Sequence, residues 1–192
     1  IKLLGIAKSQ NADVEIRVHP TLVPKNRLVA NVDGAMNAVL VHGNMVGPTL
    51  YYGAGAGAEP TASAVVADVI DIARQTKLSQ NTLIPSLGFM PDKINEKNIL
   101  SIENIISEYY LRFTMKNQAG LLAKITNIFA DHDISINSMV HKEVQENNQN
   151  PDIFLITSKT KEADIDTIIS EIELLPENTE KVVKIRTEEL NK

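Results

Sequence analysis

The stretch YYLRFTMKNQAGLLAKITNIFADHDISINSMV, residues 109–140, decides the fold of the second half of the chain. In residues 109–116 apolar side chains alternate with mostly polar ones, a pattern typical of a strand with one face on a core. Apolar residues at helical spacing follow in 121–129, and alternation returns in 134–140. The stretch therefore predicts a strand, a helix and a second strand.

The remainder of the chain continues this order. The polar run 145–150 predicts a hairpin loop, DIFLITS (152–158) a third strand, residues 165–172 a second helix and KVVKIRT (181–187) a last strand. This βαββαβ order predicts a ferredoxin-like plait, with four antiparallel strands and both helices on one face. Because many unrelated functions use this plait, the fold alone assigns none of them.

The first half has a different pattern. VEIRVHPTLV (14–23) predicts one strand, and AMNAVLVHGNMVGPTLYYG (35–53) predicts two strands around a His-Gly-Asn turn. Residues 60–74 have helical spacing, with Pro60 in the first turn. The opening IKLLGIAK (1–8) predicts a helix without a cap, so we expect the parent protein to begin before Ile1.

Three regions follow from these patterns. We expect a first domain in residues 1–77, a linker in 78–108 with a short docked element near 99–106, and a second domain in 109–192. The predicted fold class is α+β: a partial mixed α/β sheet followed by the ferredoxin-like plait.

Composition excludes several classes of function. A formal charge of −5 without a basic run argues against nucleic acid as a partner. The absence of cysteine excludes disulfides and thiolate chemistry and fits a reducing cytoplasm, where we expect the protein to reside. The four histidines lack the spacing of a metal site, so no bound metal is expected. No apolar stretch is long enough to span a bilayer.

A glycine-rich run, YYGAGAGAEPTASAVV (51–66), lies where a strand is predicted to end and a helix to begin. Bare backbone amides at such a point can face an anion or a cofactor ring. A tight strand-to-helix turn explains the run equally well. The spacing differs from the dinucleotide fingerprint, and a complete Rossmann unit does not fit in the chain.

A second candidate site is the loop Asn117-Gln118-Ala119-Gly120, which joins the first strand of the plait to its helix. Its amides could receive a carboxylate at the helix N-terminus, with Asn137 on the polar face of the second strand. Alternatively, Asn117 caps the helix and Gly120 eases the turn. We interpret His19, Lys2 and Lys8 as structural or surface residues, since no catalytic arrangement surrounds them.

Several long segments resemble a known family. KLLGIAK, VEIRVHPTLVP, LVANVDGAMNAVLVHGNMVG and TLYYGAGAGAEPTASAVVADVIDIAR, which together span most of residues 1–74, resemble the C-terminal half of the catalytic region of homoserine dehydrogenases. The stretch from Tyr109 resembles an ACT domain, the amino-acid-sensing plait attached to many biosynthetic enzymes.

The resemblance implies an NAD(P)-dependent oxidoreductase that interconverts L-homoserine and L-aspartate 4-semialdehyde. It also implies that the nucleotide-binding half and the catalytic residues precede Ile1, so no catalytic residue is expected in this chain. The chain alone should bind neither NAD nor NADP tightly. Gly57 corresponds to a position that contacts the nicotinamide cofactor, and Thr61 lies one turn further along the helix.

The ACT resemblance implies an effector site and partners. The effector would lie between paired modules and contact a loop and a strand, here Asn117, Ala119, Gly120, Leu121 and Asn137. Many ACT domains carry Asp and Pro where this chain has Asn117 and Ala119. We expect a homo-oligomer that forms through the two middle strands of the first half and through paired ACT domains, with L-threonine as the feedback effector. The alternative is an oligomerisation module that binds no ligand.

Overall fold

The computed structural model describes residues 1–10, 13–77, 85, 87–142 and 150–190, so most of the predicted loop at 145–150 lies outside the described residues. The strands are β1 (Lys2–Gln10), β2 (Asp13–Leu22), β3 (Met36–Gly43), β4 (Gly47–Ala54), β5 (Ile106–Thr114), β6 (Ile136–His141), β7 (Asp152–Thr157), β8 (Thr160–Lys161) and β9 (Val183–Thr187). The helices are α1 (Ala58–Gln75), α2 (Leu121–Asp131) and α3 (Glu162–Glu173), and short 3-10 turns cover Leu28–Asn31, Pro91–Lys93 and Ile102–Asn104.

The predicted helix at residues 1–8 is wrong. These residues form β1, which pairs antiparallel with β2 from Lys2↔Thr21 to Gln10↔Asp13. A short apolar run is compatible with either a strand or a helix, and its long-range pairing decides between them. Gly5, at mid-run, also disfavours a helix because glycine loses more backbone entropy there than other residues.

The plait predicted for the second half is confirmed. Its strands lie in the order β9-β5-β7-β6, and each pairs antiparallel with its neighbour. Beyond β9 the same sheet continues into β2 and β1, and β2 runs parallel to β9 through Thr21↔Arg186 and Leu22↔Thr187. The short strand β8 pairs with the start of β5.

The core lies between this sheet and helices α2 and α3. Tyr109, Leu111 and Phe113 on β5 have no exposed surface. They contact a cluster that includes Ile125 and Phe129 of α2 and Ile165, Ile168 and Ile172 of α3. Each such side chain contributes about 1.5–3 kcal/mol when fully buried, so this cluster is the main source of the plait's stability.

Contacts divide the chain into two compact units. The first contains residues 1–24 together with 98–190, and the second contains residues 25–97. Residues 1–24 join the plait because β2 pairs with β9. Backbone hydrogen bonds also link β2 to residues 98–100, since Val14 N–H donates to Asn98 O (2.9 Å) and Leu100 N–H donates to Val14 O (3.0 Å). The domain boundaries predicted at residues 77 and 108 stay a prediction.

The second unit carries the predicted hairpin and helix. Strands β3 and β4 pair antiparallel from Met36↔Ala54 to Gly43↔Gly47, as two strands around a turn were predicted to do. Helix α1 begins at Ala58 and has no buried residue, and its apolar side chains Val65, Val69 and Ile72 are 56–62% exposed. In the described part of the chain, no helix combines the length and apolar character needed to cross a membrane.

Candidate functional site

The loop between β5 and α2 is the first candidate site. Gly120 is the N-cap residue of α2 and has a φ of 85°, in the left-handed region that favours glycine. Leu121 N–H donates to Gln118 O (3.2 Å), and Lys124 N–H donates to Gly120 O (3.1 Å). Gly120 has no side chain with which to cap the helix, and no acidic residue lies in the first turn of α2. The alternative that Asn117 caps α2 is therefore wrong, and the helix end can accept an anion.

The other residues predicted for this site differ in their exposure to solvent. Asn117, Ala119 and Gly120 are exposed, whereas Leu121 is 5% exposed and belongs to the core. Asn137 lies on β6, and its side-chain amide donates to Thr157 O at 3.1 Å.

Strand register separates Asn137 from the loop within one chain. Ile136 pairs with Thr157 at one end of β7, whereas Thr114, just before the loop, pairs with Asp152 at the other end. At about 3.3 Å per residue, five residues of β7 separate the two levels by roughly 16 Å. One chain therefore does not bring Asn137 to the loop.

The glycine-rich run is the second candidate site, and it lies in the second unit. A Cβ on Gly55 would overlap the side chain of Asn37, and Gly55 N–H donates to Ala35 O at 3.2 Å. Gly57 is the N-cap residue of α1 with a φ of 125°, and Thr61 N–H donates to its carbonyl at 3.2 Å. The glycine-rich run thus forms the tight strand-to-helix turn that the sequence offered as the alternative to an anion or cofactor contact. Thr61 is exposed on α1.

A buried charged cluster was missed by the sequence analysis. Glu162, at the start of α3, accepts hydrogen bonds from Arg186 (2.7 and 2.5 Å), Lys184 Nζ (2.5 Å) and Tyr109 Oη (2.8 Å). Burial opposes ionisation of Glu162, but these hydrogen bonds outweigh it and hold the pKa of Glu162 below its ordinary value. Burial, with Glu162 beside it, raises the pKa of Tyr109. The cluster ties β9 to α3.

Strand β2 turns its polar side chains inward. Arg17 is buried and pairs with Glu15 (2.9 Å) and with Glu188, which also pairs with Lys8 (2.8 Å). Burial lowers the pKa of His19, whose Nδ1 lies 3.0 Å from the Thr21 hydroxyl. These contacts agree with a structural role for His19. Across the described residues, no group of three or more His, Cys, Asp or Glu side chains is arranged to hold a metal ion.

Comparison with known proteins shows that both candidate sites lie in segments that match known family models. Residues 1–70 match the homoserine dehydrogenase family model, and residues 109–177 match the ACT domain model. The chain is 45% identical over 191 residues to homoserine dehydrogenases of Pseudomonas aeruginosa and of Neisseria gonorrhoeae, and each alignment covers 100% of this chain. The chain matches the C-terminal part of homoserine dehydrogenases. It spans 44% of the length of these two relatives.

A solved structure agrees with this homoserine dehydrogenase match. The crystal structure of a homoserine dehydrogenase from Thiobacillus denitrificans superimposes with a TM-score of 0.89 at 50% identity, covering 99% of this chain and 42% of that one. The homoserine dehydrogenase match contains the glycine-rich turn, and the ACT match contains the loop before α2. The family resemblance predicted from the sequence is therefore confirmed.

Proposed function

We propose that this chain supplies subunit pairing and L-threonine sensing to a homoserine dehydrogenase that interconverts L-homoserine and L-aspartate 4-semialdehyde with NAD(P). The observation that carries the proposal is the match of the whole chain to homoserine dehydrogenases, at 45% identity in two of them. The uncapped N-terminus of α2 supports the sensing part, because the carboxylate of an amino acid suits that helix end.

The strand order of the large sheet supports the proposed pairing of two ACT domains. Among the described residues, β6 has a strand partner on one side only, β7, whereas β9 is covered by β2. The free edge of β6 can therefore add a second copy by strand pairing. An antiparallel pairing centred on Val140 would carry Asn137 of one copy close to the level of the other copy's loop, and so complete the effector site from two chains.

The hairpin of β3 and β4 is the second proposed pairing surface. Tyr51 and Tyr52 are 64% and 57% exposed, and Val39 and Val41 are 60% and 47% exposed. Large aromatic and aliphatic side chains concentrated on one two-stranded sheet are typical of protein–protein contacts. We propose that a second subunit covers them.

The glycine-rich turn fits a nicotinamide cofactor contact. Gly57 has a φ of 125°, a conformation that glycine adopts readily, and the exposed Thr61 lies one turn further along α1. When bound, NAD or NADP would supply hydride transfer. The role proposed for Gly57 and Thr61 is to bind and orient part of that cofactor, not to move a proton.

Calorimetric titration of the chain with L-threonine tests the sensing proposal. We expect saturable binding heat at millimolar threonine and loss of that heat in Asn137→Ala, with oligomeric state unchanged by light scattering. L-2-Aminobutyrate is the matched control ligand, because it differs from L-threonine only in lacking the hydroxyl. A folded, oligomeric chain that gives no heat with threonine would favour the alternative, an ACT oligomerisation module without a ligand.

A further inference from the structure

The segment between α3 and β9 lies against the loop before α2. Lys116 N–H donates to Glu177 O at 2.8 Å. Two residues further on, the backbone N–H and the hydroxyl of Thr179 both donate to Thr114 O, at 3.1 and 2.8 Å. Residues 177–179 are therefore bound to the end of β5, at the point where the loop begins.

The Glu177 side chain contacts the other end of the loop. Its Oε1 lies 2.5 Å from Lys124 Nζ, and Lys124 lies in α2, where its N–H donates to Gly120 O at 3.1 Å. The carboxylate is 5% exposed, whereas the Lys124 side chain is 49% exposed. The Glu177 carbonyl accepts a hydrogen bond from Lys116, at the start of the loop, and the Glu177 side chain pairs with Lys124 in the helix that follows the loop. Glu177 thus connects the two ends of the loop.

The chemistry of this contact favours a charged pair. The hydrogen bond from Lys124 holds the pKa of Glu177 below its ordinary value, so the carboxylate is ionised near neutral pH. Its second oxygen, Oε2, is buried and accepts no hydrogen bond from the described residues. Lys124 therefore stabilises the ionised Glu177 side chain, since a buried carboxylate that loses its counter-charge lowers the stability of the folded protein.

We propose that Glu177 is a positioning residue of the effector site, which holds the loop of residues 116–121 in the conformation that binds the amino acid. This inference rests on the proposed threonine-sensing function. Asn117, Ala119 and Gly120 are exposed. Holding both ends of such a loop raises the population of its binding-competent conformation, and apparent affinity scales with that population. Glu177 acts through Lys116 and Lys124 and need not touch the ligand.

The first test compares L-threonine affinity in the whole 192-residue chain and in two variants. If Glu177→Gln lowers the competent population to about a tenth, the dissociation constant rises about tenfold. Glu180→Gln is the matched control, because it removes the same charge from the same segment. The exposed Glu180 contacts Thr114 Oγ1 (3.3 Å) and not the loop. Equal affinity in wild type and Glu177→Gln overturns the proposal.

A second test approaches the contact from its exposed side and keeps the proposal testable if Glu177→Gln fails to fold. Lys124→Gln should weaken threonine binding to a similar extent. The double variant Lys124→Gln/Glu177→Gln should lose no more than the worse single variant, because both changes remove one interaction. Losses that simply add contradict the proposed contact.

Amide exchange separates this inference from the sensing function. In the ligand-free protein, we expect the hydrogen-bonded amides of Lys116 and Leu121 to exchange about tenfold faster in Lys124→Gln than in wild type, while amides of β5 and β7 are unchanged. If wild type binds no threonine, the proposed function fails, yet the exchange measurement still tests the positioning role. Unchanged exchange at Lys116 and Leu121 overturns that role.

Discussion

Glu162 and Arg186 form a two-point ion pair inside the plait, with Nε and Nη2 of Arg186 lying 2.7 and 2.5 Å from the two carboxylate oxygens. The Glu162 and Arg186 side chains are 4% and 14% exposed. The pair joins the first residue of α3 to β9, and its two residues are 24 positions apart in the sequence. Because water is largely excluded, loss of either partner leaves the other charge poorly compensated.

Arg186→Met should therefore destabilise the chain markedly. Removing one partner of a buried ion pair costs about 3–5 kcal/mol, and we expect the lower end because Lys184 still contacts Glu162. Urea unfolding followed by circular dichroism gives the change in unfolding free energy. Lys93→Met is the control, since the Lys93–Asp92 pair is 72% and 67% exposed and should matter little. Equal effects of both substitutions would contradict the structural role of the cluster.

Stability should fall in acid because of Glu162. Its pKa in the folded protein lies below the ordinary value of 4.5, so the folded state holds this proton less tightly than the unfolded state. The stabilisation is present above pH 4.5 and is lost as the pH falls through the folded pKa. Unfolding free energies measured from pH 7 to pH 3 should decline less steeply in Glu162→Gln than in wild type. Parallel pH profiles would show that the carboxylate does not carry this dependence.

Val140→Cys should cross-link two copies of the chain. Val140 is 56% exposed on β6, and the chain has no cysteine of its own. In an antiparallel pairing centred on Val140, the Cα atoms of the two opposed Val140 residues lie about 4.5–5.5 Å apart, within the range of a disulfide. Mild oxidation followed by non-reducing electrophoresis should show a covalent dimer. Val18→Cys, 71% exposed on β2, should stay monomeric on the gel, and similar cross-linking of both variants would argue against pairing through β6.

Gly120→Ala should destabilise the chain through its backbone alone. Gly120 has a φ of 85°, and an added Cβ would contact nothing within 4 Å, so steric overlap with neighbours plays no part. A left-handed conformation costs an alanine about 1–2 kcal/mol, which thermal unfolding can resolve. Gly53→Ala is the matched control, because its Cβ also meets nothing and its φ is not positive. A stable Gly120→Ala protein would indicate that the loop adopts another conformation in solution.

The elements that the sequence predicted correctly all depend on local periodicity. The alternation in 109–116 and the stripe in 121–129 predicted β5 and α2 to within a few residues, and Pro60 predicted the first turn of α1. The prediction failed at residues 1–8, where an apolar run lacks a decisive period. The candidate residues Asn117 and Asn137 were named from the sequence pattern and again from the resemblance, but their separation within one chain follows only from the register of β6 on β7.

By itself, the sequence determined the order of strands and helices in the plait, the hairpin of β3 and β4, and the family that the chain resembles. These features depend on neighbours in the chain, whose side-chain spacing matches the period of a strand or a helix. Only the tertiary structure decided that β1 is a strand, that β2 extends the sheet beyond β9, and that Glu162 and Glu177 are buried and have basic partners. Those features depend on contacts between residues far apart in the sequence, where hydrogen bonding and burial outweigh local preference.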